Sequence, residues 1–392
     1  MVTLSRNSER TGAVMAMRFR TISLVASSIV LLGLSQESTA DIAVNTKVQD
    51  IVATDLAPEV GNKGGLAVAI YSNGRAQFFD YGFADRATKQ SVTPDTLFNI
   101  ASVRKPFEAT LVALGAVRGE LSLDDLASKY VPELQGDYIR RVTIGQLVSH
   151  TSGLLLPTDH PPWPSESFTL QQFFDMLNAW TPPSGEQPGK QRIYSHAGYV
   201  LLQLVLERRY HRSIRHLIES RILKPLGMKE TFVPEREEDN RAGMPSQLLR
   251  RVVQGYSDSG AAIGPPGNEQ SYYDFPGTGQ MFSSVRDLAI FLAACLGGEV
   301  ANPQLSQALR MTQQEMFRVS EKFGQSMAWE TVRLDDDVEV VDKPGGLNNA
   351  TAYIGLVPAR KLGIVLLANS GNFPHEIARY GVLPKLARLN AP

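Results

Sequence analysis

The stretch Ser102-Val-Arg-Lys105 is the only Ser-x-x-Lys in this 392-residue chain, and it lies where a helix is expected to begin. Pro106 follows directly, and proline is tolerated in the first turn of a helix because its missing N–H has no partner to lose there. Ser102 is therefore expected at or just before a helix N-terminus. Because residues three apart share a helix face, Lys105 is expected to reach back to the Ser102 hydroxyl.

These two residue types, at this spacing, suit nucleophilic catalysis. A serine hydroxyl is a weak nucleophile until a neighbouring base takes its proton, and a partly desolvated lysine can act as that base. The alternative is that Ser102 only caps the helix and that Lys105 is a solvated surface charge. The motif alone does not decide between the two, so the rest of the chain must.

Charge and composition exclude several classes of partner. The 39 lysines and arginines nearly balance the 40 aspartates and glutamates, so we expect no nucleic-acid partner. The six histidines show no His-Glu-x-x-His spacing, so we expect no metal. The single cysteine, Cys295, lies in an apolar stretch that is typical of a buried structural thiol.

The N-terminal residues have the layout of a secretory signal peptide. Arg18 and Arg20 precede a short apolar segment, residues 22–34, and the small residues Ser38-Thr-Ala40 follow it. We therefore predict that residues 1–40 are a signal peptide cleaved after Ala40, and that the mature protein is periplasmic and free of the membrane. The alternative is a membrane anchor or a buried helix, for which the apolar segment is short.

The order of predicted elements indicates an α/β (α+β) fold. Asn73-Gly74 between two β-prone runs predicts a hairpin, and further β-prone runs lie near the C-terminus. Helices are predicted between them, including a short one at residues 121–132. Strands at both ends of the chain suggest one antiparallel sheet with a helical insertion. The predicted domains are a discontinuous sheet domain and a mainly helical domain, at residues 41–125 with 280–392, and 126–279.

Three further segments strengthen the catalytic interpretation. Tyr194-Ser-His196 leaves a Pro/Gly-rich loop just before a helix, and Lys343-Pro-Gly-Gly346 lies on a predicted strand. His150-Thr-Ser-Gly-Leu154 forms a polar loop. Three motifs follow one another along the chain in the order Ser102-Val-Arg-Lys105, Tyr194-Ser-His196 and Lys343-Pro-Gly345. Together with the His150 loop, they resemble the serine β-lactamase and penicillin-binding protein superfamily, most closely the class C β-lactamases. The resemblance covers nearly the whole mature chain.

The resemblance implies the serine β-lactamase/transpeptidase-like fold, with the active site between the two domains, and a role for each motif residue. Ser102 would be the acylated nucleophile, and Lys105 would share its proton network. Tyr194 would help to deprotonate the serine and later activate water. Lys343 would supply positive charge beside the tyrosine and attract the substrate carboxylate. The remaining implied residues are the oxyanion-hole N–H groups of Ser102 and Gly346, and the substrate contacts His196, Gly345, Asn369 and Asn372.

Two positions depart from the family pattern. His196 stands where the family usually has asparagine, and Pro344 stands where it usually has threonine or serine, so a hydroxyl donor to the substrate carboxylate is lost. Pro344 still fits a strand if its missing N–H faces an unpaired edge. Arg104 occupies a variable position. His150 is expected to brace its loop rather than to form a triad, because the chain has no Gly-x-Ser-x-Gly elbow.

The sequence therefore predicts a serine β-lactamase that opens penicillins or cephalosporins through an acyl-enzyme, needs no cofactor, acts as a monomer and confers β-lactam resistance. Two alternatives stay open. One is a D-alanyl-D-alanine carboxypeptidase or carboxylesterase of the same fold, which His196 and Pro344 would suit. The other is a sensor or binding protein for β-lactams or peptidoglycan fragments, which would not need all four catalytic side chains.

Overall fold

The predicted hairpin forms around Asn73 and Gly74, whose φ angles are 51° and 78°. Positive φ at both central residues is the geometry of the two-residue turn that joins twisted antiparallel strands. The turn connects strand β1, Gly65–Ser72, to strand β2, Arg75–Asp85. This computed structural model describes residues 39–61, 64–155, 169–182, 185–236, 242–243, 245–266, 281–334 and 338–389.

A nine-stranded sheet dominates the described part of the chain. The remaining strands are β3 Gln90–Ser91, β4 Leu97–Asn99, β5 Glu235–Arg236, β6 Ala242–Gly243, β7 Phe282–Ser284, β8 Phe317–Arg318, β9 Phe323–Gln325, β10 Glu330–Arg333, β11 Glu339–Leu347, β12 Ala350–Val357 and β13 Leu362–Ala368. The strand order is β3-β2-β1-β13-β12-β11-β10-β9-β8, and its pairs are antiparallel. Since β1 pairs with β13, the sheet is built from both ends of the chain, as the sequence predicts.

Helices cover the sheet and fill the middle of the chain. The α-helices are α1 Thr39–Asp55, α2 Ala57–Val60, α3 Lys105–Val117, α4 Ile144–Val148, α5 Leu170–Ala179, α6 His196–Tyr210, α7 Ile214–Ile218, α8 Lys224–Leu226, α9 Ser246–Leu249, α10 Val285–Cys295, α11 Pro303–Thr312 and α12 Leu383–Leu389. Short 3₁₀ turns lie at Ala101–Arg104, Ala127–Lys129, Ile139–Arg141 and Pro358–Arg360, and π-helical turns at Glu219–Leu223 and Ala378–Val382.

The sheet separates two hydrophobic cores. Along β1, Leu66 and Val68 pack on one face with α1 and α12, whereas Ala67 and Ala69 pack on the other with α3 and α10. Successive side chains of a strand point to opposite faces, so a strand covered on both faces is apolar throughout. The small alanines let α10 approach β1 closely.

The helix predicted at residues 121–132 is wrong, because only the 3₁₀ turn Ala127–Lys129 forms there. The Asp125 carboxylate accepts a hydrogen bond from the Ser122 N–H at 2.9 Å. Ala127 N–H donates to the Val142 carbonyl oxygen at 2.9 Å. The hydrogen bonds of this segment thus close a local turn and join a neighbouring segment, instead of forming the regular pattern of a helix.

Residues Ala43–Pro392 form one compact unit, and the division into a sheet domain and a helical domain stays a prediction. The predicted signal peptide and its cut after Ala40 concern residues 1–40, of which residues 1–38 lie outside the described ranges. No helix in the described ranges has the length and apolar character needed to cross a membrane. Cys295 is a buried free thiol, as its apolar neighbours predict.

Candidate active site

The candidate nucleophile lies on a strained turn at the start of α3. Ala101 has a φ of 49°, in the left-handed region that non-glycine residues seldom adopt. Asn99 holds this conformation, since its side-chain oxygen accepts a hydrogen bond from the Ala101 N–H at 2.9 Å. Such strain is typical of functional sites, where the surrounding structure enforces it. The turn places Ser102 at the helix start, as Pro106 predicts.

The Ser102 hydroxyl contacts two groups that can exchange its proton. Lys105 Nζ donates a hydrogen bond to Ser102 Oγ at 3.2 Å, which confirms the expected contact along the helix. Tyr194 OH lies 2.7 Å from the same Oγ. Lys105 is fully buried, and its Nζ lies 5.3 Å from the ring centroids of both Tyr194 and Tyr199. The serine thus has the partners that nucleophilic activation requires.

Tyr194 is held by the turn that precedes α6. Ser195 caps this helix, since its Oγ accepts from the Gly198 N–H at 2.9 Å, and the Ser195 N–H donates to His150 Nδ1 at 3.3 Å. The His150 ring packs 4.4 Å from the Tyr194 ring. Burial, with the charges of nearby lysines, lowers the pKa of His150 well below its ordinary value. His150 is therefore a neutral brace for the tyrosine turn.

Lys343 approaches Tyr194 from the sheet. It is 2% exposed on β11, and its Nζ lies 4.5 Å from the Tyr194 ring centroid. Burial lowers the pKa of Lys343, although Tyr194 and Glu330 act to raise it. A Cβ on Gly345 would lie 2.8 Å from the Ile100 carbonyl oxygen, so only glycine lets the strand pack this closely on the nucleophile turn.

These groups share a cleft of about 550 Å³. Its lining includes Ser102, Arg192, Tyr194, His196, Glu330, Lys343, Pro344, Gly345, Gly346, Thr351, Gly371, Asn372, Phe373, Pro374, His375 and Glu376. Among the described residues, no group of three or more His, Cys, Asp or Glu side chains could hold a metal ion. The cleft brings together positive charge, hydrogen-bond donors and a serine hydroxyl with two possible proton acceptors, which are the groups that acyl transfer requires.

Glu330 anchors the charges at the Lys343 side of the cleft. Arg192 donates to its Oε1 at 2.9 Å, and Arg379 donates to its Oε2 at 2.7 Å. Arg379 also binds the Asp342 carboxylate through two hydrogen bonds, of 2.5 and 2.8 Å. Burial alone would raise the pKa of Glu330, but Lys343 and the two arginines outweigh it and lower this pKa.

The comparison with known protein families agrees with this geometry. The Beta-lactamase family model matches residues 48–385, which is most of the chain. This chain belongs to the β-lactamase family. Over 364 residues it is 28% identical to a β-lactamase of Pseudomonas fluorescens, covering 84% of this chain and 95% of that protein. Over 375 residues it is 26% identical to a β-lactamase of Escherichia coli K12, covering 86% of this chain and 93% of that protein.

Solved structures give the same result. A class C β-lactamase in complex with cefoxitin is 27% identical and has a TM-score of 0.74, covering 87% of this chain and 99% of that one. A β-lactamase/D-alanine carboxypeptidase from Pseudomonas syringae is 25% identical and has a TM-score of 0.73, covering 91% of this chain and 100% of that one. The predicted resemblance to class C β-lactamases and the predicted fold are confirmed.

The structure brings most of the predicted site residues of this β-lactamase-family chain together. Lys105 forms the buried floor beneath Ser102, and Asn372 reaches the rim, where its amide donates to Asp258. The other predicted residues that line the cleft are Ser102, Tyr194, His196, Lys343, Gly345 and Gly346. Their roles in the reaction stay predictions, although their shared position in one cleft supports them.

Asn369 does not reach the cleft, so its predicted contact with substrate is wrong. Its Oδ1 accepts from the Gly65 N–H at 2.6 Å. Its Nδ2 lies within hydrogen-bond distance of three carbonyl oxygens, at 3.1 Å from Phe83, 3.2 Å from Ala84 and 2.9 Å from Gln254. The side chain is fully buried and joins β1, β2 and the segment around Gln254. The polar side chain of Asn369 therefore forms hydrogen bonds with backbone groups and does not face a ligand.

The two departures from the family pattern both face the cleft. The His196 ring meets the Tyr194 ring edge-on, with centroids 5.2 Å apart and an interplanar angle of 78°. Pro344 pairs with Tyr353 of β12, and it lies beyond Asp342, where the pairing of β11 with β10 ends. Pro344 therefore occupies a stretch with one strand partner among the described residues, as the predicted unpaired edge requires.

Several cleft residues have no counterpart in the prediction. Arg192 had a usable signal, because it lies two residues before Tyr194, and residues two apart share a side wherever a chain is extended. Glu330, His375 and Glu376 had no local signal. They reach the cleft through strand pairing and through the turn after β13, which sequence spacing does not reveal.

Proposed function

We propose that this protein is a serine β-lactamase of the class C type, which hydrolyses the lactam amide of penicillins or cephalosporins and confers resistance to them. The observation that carries the proposal is the position of Ser102 Oγ, 2.7 Å from Tyr194 OH and 3.2 Å from Lys105 Nζ. Both partners lie beside a cleft of ligand size whose charge is positive next to the nucleophile.

In the first half of the reaction, Ser102 Oγ attacks the lactam carbonyl carbon, and its proton passes to the Tyr194–Lys105 pair. The lactam C–N bond then breaks, the nitrogen takes up a proton from this pair, and an ester forms on Ser102. In the second half, the pair removes a proton from water, the hydroxide attacks the ester, and Ser102 leaves with a proton. The atoms of one water molecule are added, so no cofactor is consumed.

The N–H groups of Ser102 and Gly346 are proposed to stabilise the oxyanion in both halves. Gly345 supports this assignment, because a Cβ there would lie 3.0 Å from Ser102 N. The close packing of β11 on the nucleophile turn would place both donors at the same reacting atom. Removal of one such donor typically lowers kcat about a hundredfold to a thousandfold.

Lys343, His196 and Asn372 are proposed to orient the substrate. Lys343 would attract the carboxylate that β-lactam antibiotics carry, and His196 would contact the side-chain amide. Pro344 offers no hydroxyl to that carboxylate, so the charge of Lys343 and the rim amide would carry more of its recognition. We further propose that the protein is periplasmic, on the strength of the signal-like residues 18–40, and that it acts as a monomer.

A second function, that of a D-alanyl-D-alanine carboxypeptidase, is favoured by His196 and Pro344. Two similar structures carry this activity in their names, one from Pseudomonas syringae and one from Burkholderia cenocepacia, with TM-scores of 0.73 and 0.72. The same nucleophile would attack a peptide carbonyl instead of a lactam. In the peptidase, D-alanine would leave when the acyl-enzyme forms, whereas the amine of an opened lactam stays attached to the acyl group. The two functions also differ in how fast water releases the acyl group from Ser102.

The deciding experiment follows a chromogenic cephalosporin with purified protein, beside a Ser102→Ala control. Steady multiple turnovers that vanish in the control are expected. One stoichiometric burst, with a single acyl adduct detected on Ser102 by mass spectrometry, would reject the β-lactamase and favour the peptidase. Release of D-alanine from a peptide that ends in D-alanyl-D-alanine, measured in parallel, then tests the second function directly.

A further inference from the structure

Residues 102–105, which contain the candidate nucleophile, make three contacts with α6 and with the residues just before it. Two of the contacts involve the reacting groups, and the third lies outside the cleft lining. The third is a hydrogen bond of 2.7 Å from Arg104 Nη2 to Gln203 Oε1. From Tyr194 to Gln203, the contacts follow one another along the chain. Tyr194 contacts Ser102, Tyr199 contacts Lys105, and Gln203 contacts Arg104.

Arg104 is oriented by Glu108, one turn further along the same helix. Arg104 Nε lies 2.8 Å from Glu108 Oε1, and the side chains are 3% and 0% exposed. A guanidinium is a rigid planar fork, so fixing one edge of it fixes the direction of the other. Nη2 of the same guanidinium reaches Gln203. Gln203 is itself 3% exposed, so this contact is screened from water.

The Glu108 carboxylate has few hydrogen bonds for a purely structural element. Apart from the ion pair with Arg104, the Glu108 carboxylate accepts no hydrogen bond from the described residues. Burial raises the pKa of Glu108 to about 7, although Arg104 and Lys105 act to lower it. Buried ion pairs often stabilise a fold no better than apolar residues of the same size. The distinctive consequence of this pair is its contact across to α6.

We propose that Arg104 and Glu108 are positioning residues, which act through Gln203 to set the register between α3 and α6 and hence the contact between Ser102 and Tyr194. This inference rests on the proposed function, because it concerns the reaction at Ser102. A helix rises 1.5 Å per residue, so even a slide smaller than one residue would separate the two reacting hydroxyls. Displacement by about 1 Å can lower a rate about a hundredfold.

The contact continues beyond α6. Gln203 Nε2 donates to Glu207 Oε1 at 3.2 Å, and the same oxygen accepts from the Ile214 N–H at 2.8 Å. The start of α7 is therefore tied to the same line of contacts. The Gln203 side chain accepts a hydrogen bond from Arg104 and donates one to Glu207, so both ends of its amide are held.

The test replaces the ion pair with apolar residues in the double variant Arg104→Met/Glu108→Leu. This change leaves no unpaired buried charge, so the fold is expected to persist. We expect kcat on a chromogenic cephalosporin to fall about tenfold or more, with KM changed less than about twofold. Labelling of Ser102 by a fluorophosphonate, which detects an activated serine independently of the substrate class, should slow by a similar factor.

The matched control is Arg208→Met/Glu133→Leu, which removes an ion pair of α6 whose side chains are 31% and 40% exposed. It should leave kcat and the labelling rate unchanged. Wild-type rates in the Arg104→Met/Glu108→Leu variant would overturn the inference. If that variant does not fold, Gln203→Leu replaces it, and a wild-type labelling rate there would overturn the inference equally. Wild-type protein that is labelled but does not turn over the cephalosporin would reject the proposed function alone.

Discussion

Each of the two lysines at the candidate active site is a sequence neighbour of a residue in a buried charge cluster. The two clusters are built differently. At the start of α3, Arg104 lies directly before Lys105 and pairs with Glu108 four residues on. On β11, Asp342 lies directly before Lys343, and its partner Arg379 comes from the turn before α12. The first cluster is local to one helix, whereas the second joins segments that are distant in sequence.

The difference concerns how well each carboxylate is satisfied. Asp342 accepts two hydrogen bonds from Arg379 and a third from Tyr353 OH at 2.6 Å. Glu108 has one ion pair and no further hydrogen bond from the described residues. A fully hydrogen-bonded buried pair holds its segments firmly, whereas a buried carboxylate with few hydrogen bonds contributes less to stability. We therefore expect the Lys343 side to contribute more to stability and the Lys105 side to contribute more to the reaction rate.

The largest expected effect separates the two lysines. Lys105→Met should lower kcat about a thousandfold, because it removes the group that bonds to Ser102 Oγ at 3.2 Å. Lys343→Met should lower kcat about a hundredfold at most, because its amine lies 4.5 Å from the Tyr194 ring centroid and is proposed to act through this tyrosine. Steady-state kinetics on the chromogenic cephalosporin measure both, with Lys129→Met, an exposed lysine, as the control. Equal losses would contradict the contrast.

The next effect is on stability. Asp342→Asn should lower the free energy of unfolding by about 3 kcal/mol, because it leaves the buried Arg379 without its main counter-charge. Asp95→Asn removes a pair whose side chains are 47% and 46% exposed, and it should cost less than about 1 kcal/mol. Urea unfolding of the two variants gives the comparison. Similar losses would show that the Arg379 cluster is no firmer than a surface pair.

The pH dependence of stability should differ in sign between Glu108 and Glu330. Burial raises the pKa of Glu108 from 4.5 to about 7, so the folded chain binds this proton more tightly than the unfolded chain. Its contribution to stability is present below pH 4.5 and is lost as the pH rises through about 7. Glu330 has a lowered pKa, so its contribution is lost as the pH falls below its ordinary 4.5.

Unfolding free energies of the wild type and of Glu108→Gln, measured between about pH 5 and 8, isolate the first effect. The wild type should lose stability relative to the variant as the pH rises. Glu330→Gln should show the reverse trend below about pH 5. Parallel curves for wild type and Glu108→Gln would mean that Glu108 does not change its proton affinity on folding.

The smallest effect concerns substrate recognition beside Lys343. Pro344→Thr restores a hydroxyl at the cleft, and one added hydrogen bond to a substrate carboxylate should lower KM about fivefold with little change in kcat. The matched control is the same β-lactam as its methyl ester, for which the variant and the wild type should behave alike. An equal gain on the ester would mean that the hydroxyl does not recognise the carboxylate.

The sequence predicts the Lys105 side of the site better than the Lys343 side, for a physical reason. Ser102 and Lys105 share a helix whose phase Pro106 fixes, so their contact follows from local geometry. Lys343 could be assigned only through its resemblance to a family motif, because nothing local indicates that β11 packs against Ser102.

The sheet was predictable from its strands, but its charge clusters were not. Glu330 and Arg379 belong to segments whose contact depends on strand pairing and on the packing of the last helix. Asn369 was misassigned because an asparagine after a strand can equally face a ligand or bind backbone groups. Arg104 occupies a variable position of the motif, so the sequence does not indicate its contact with Gln203. That contact is visible only once α6 is placed beside the start of α3.

Cys295 has a practical consequence for experiments on this protein. It is the only thiol in the sequence, and burial in α10 raises its pKa above the ordinary range. Thiol reagents therefore have no reactive native target on the folded protein. A cysteine introduced at the cleft rim, such as Glu376→Cys, would take a fluorophore at one defined site. Its emission could then follow the filling and emptying of the cleft in real time.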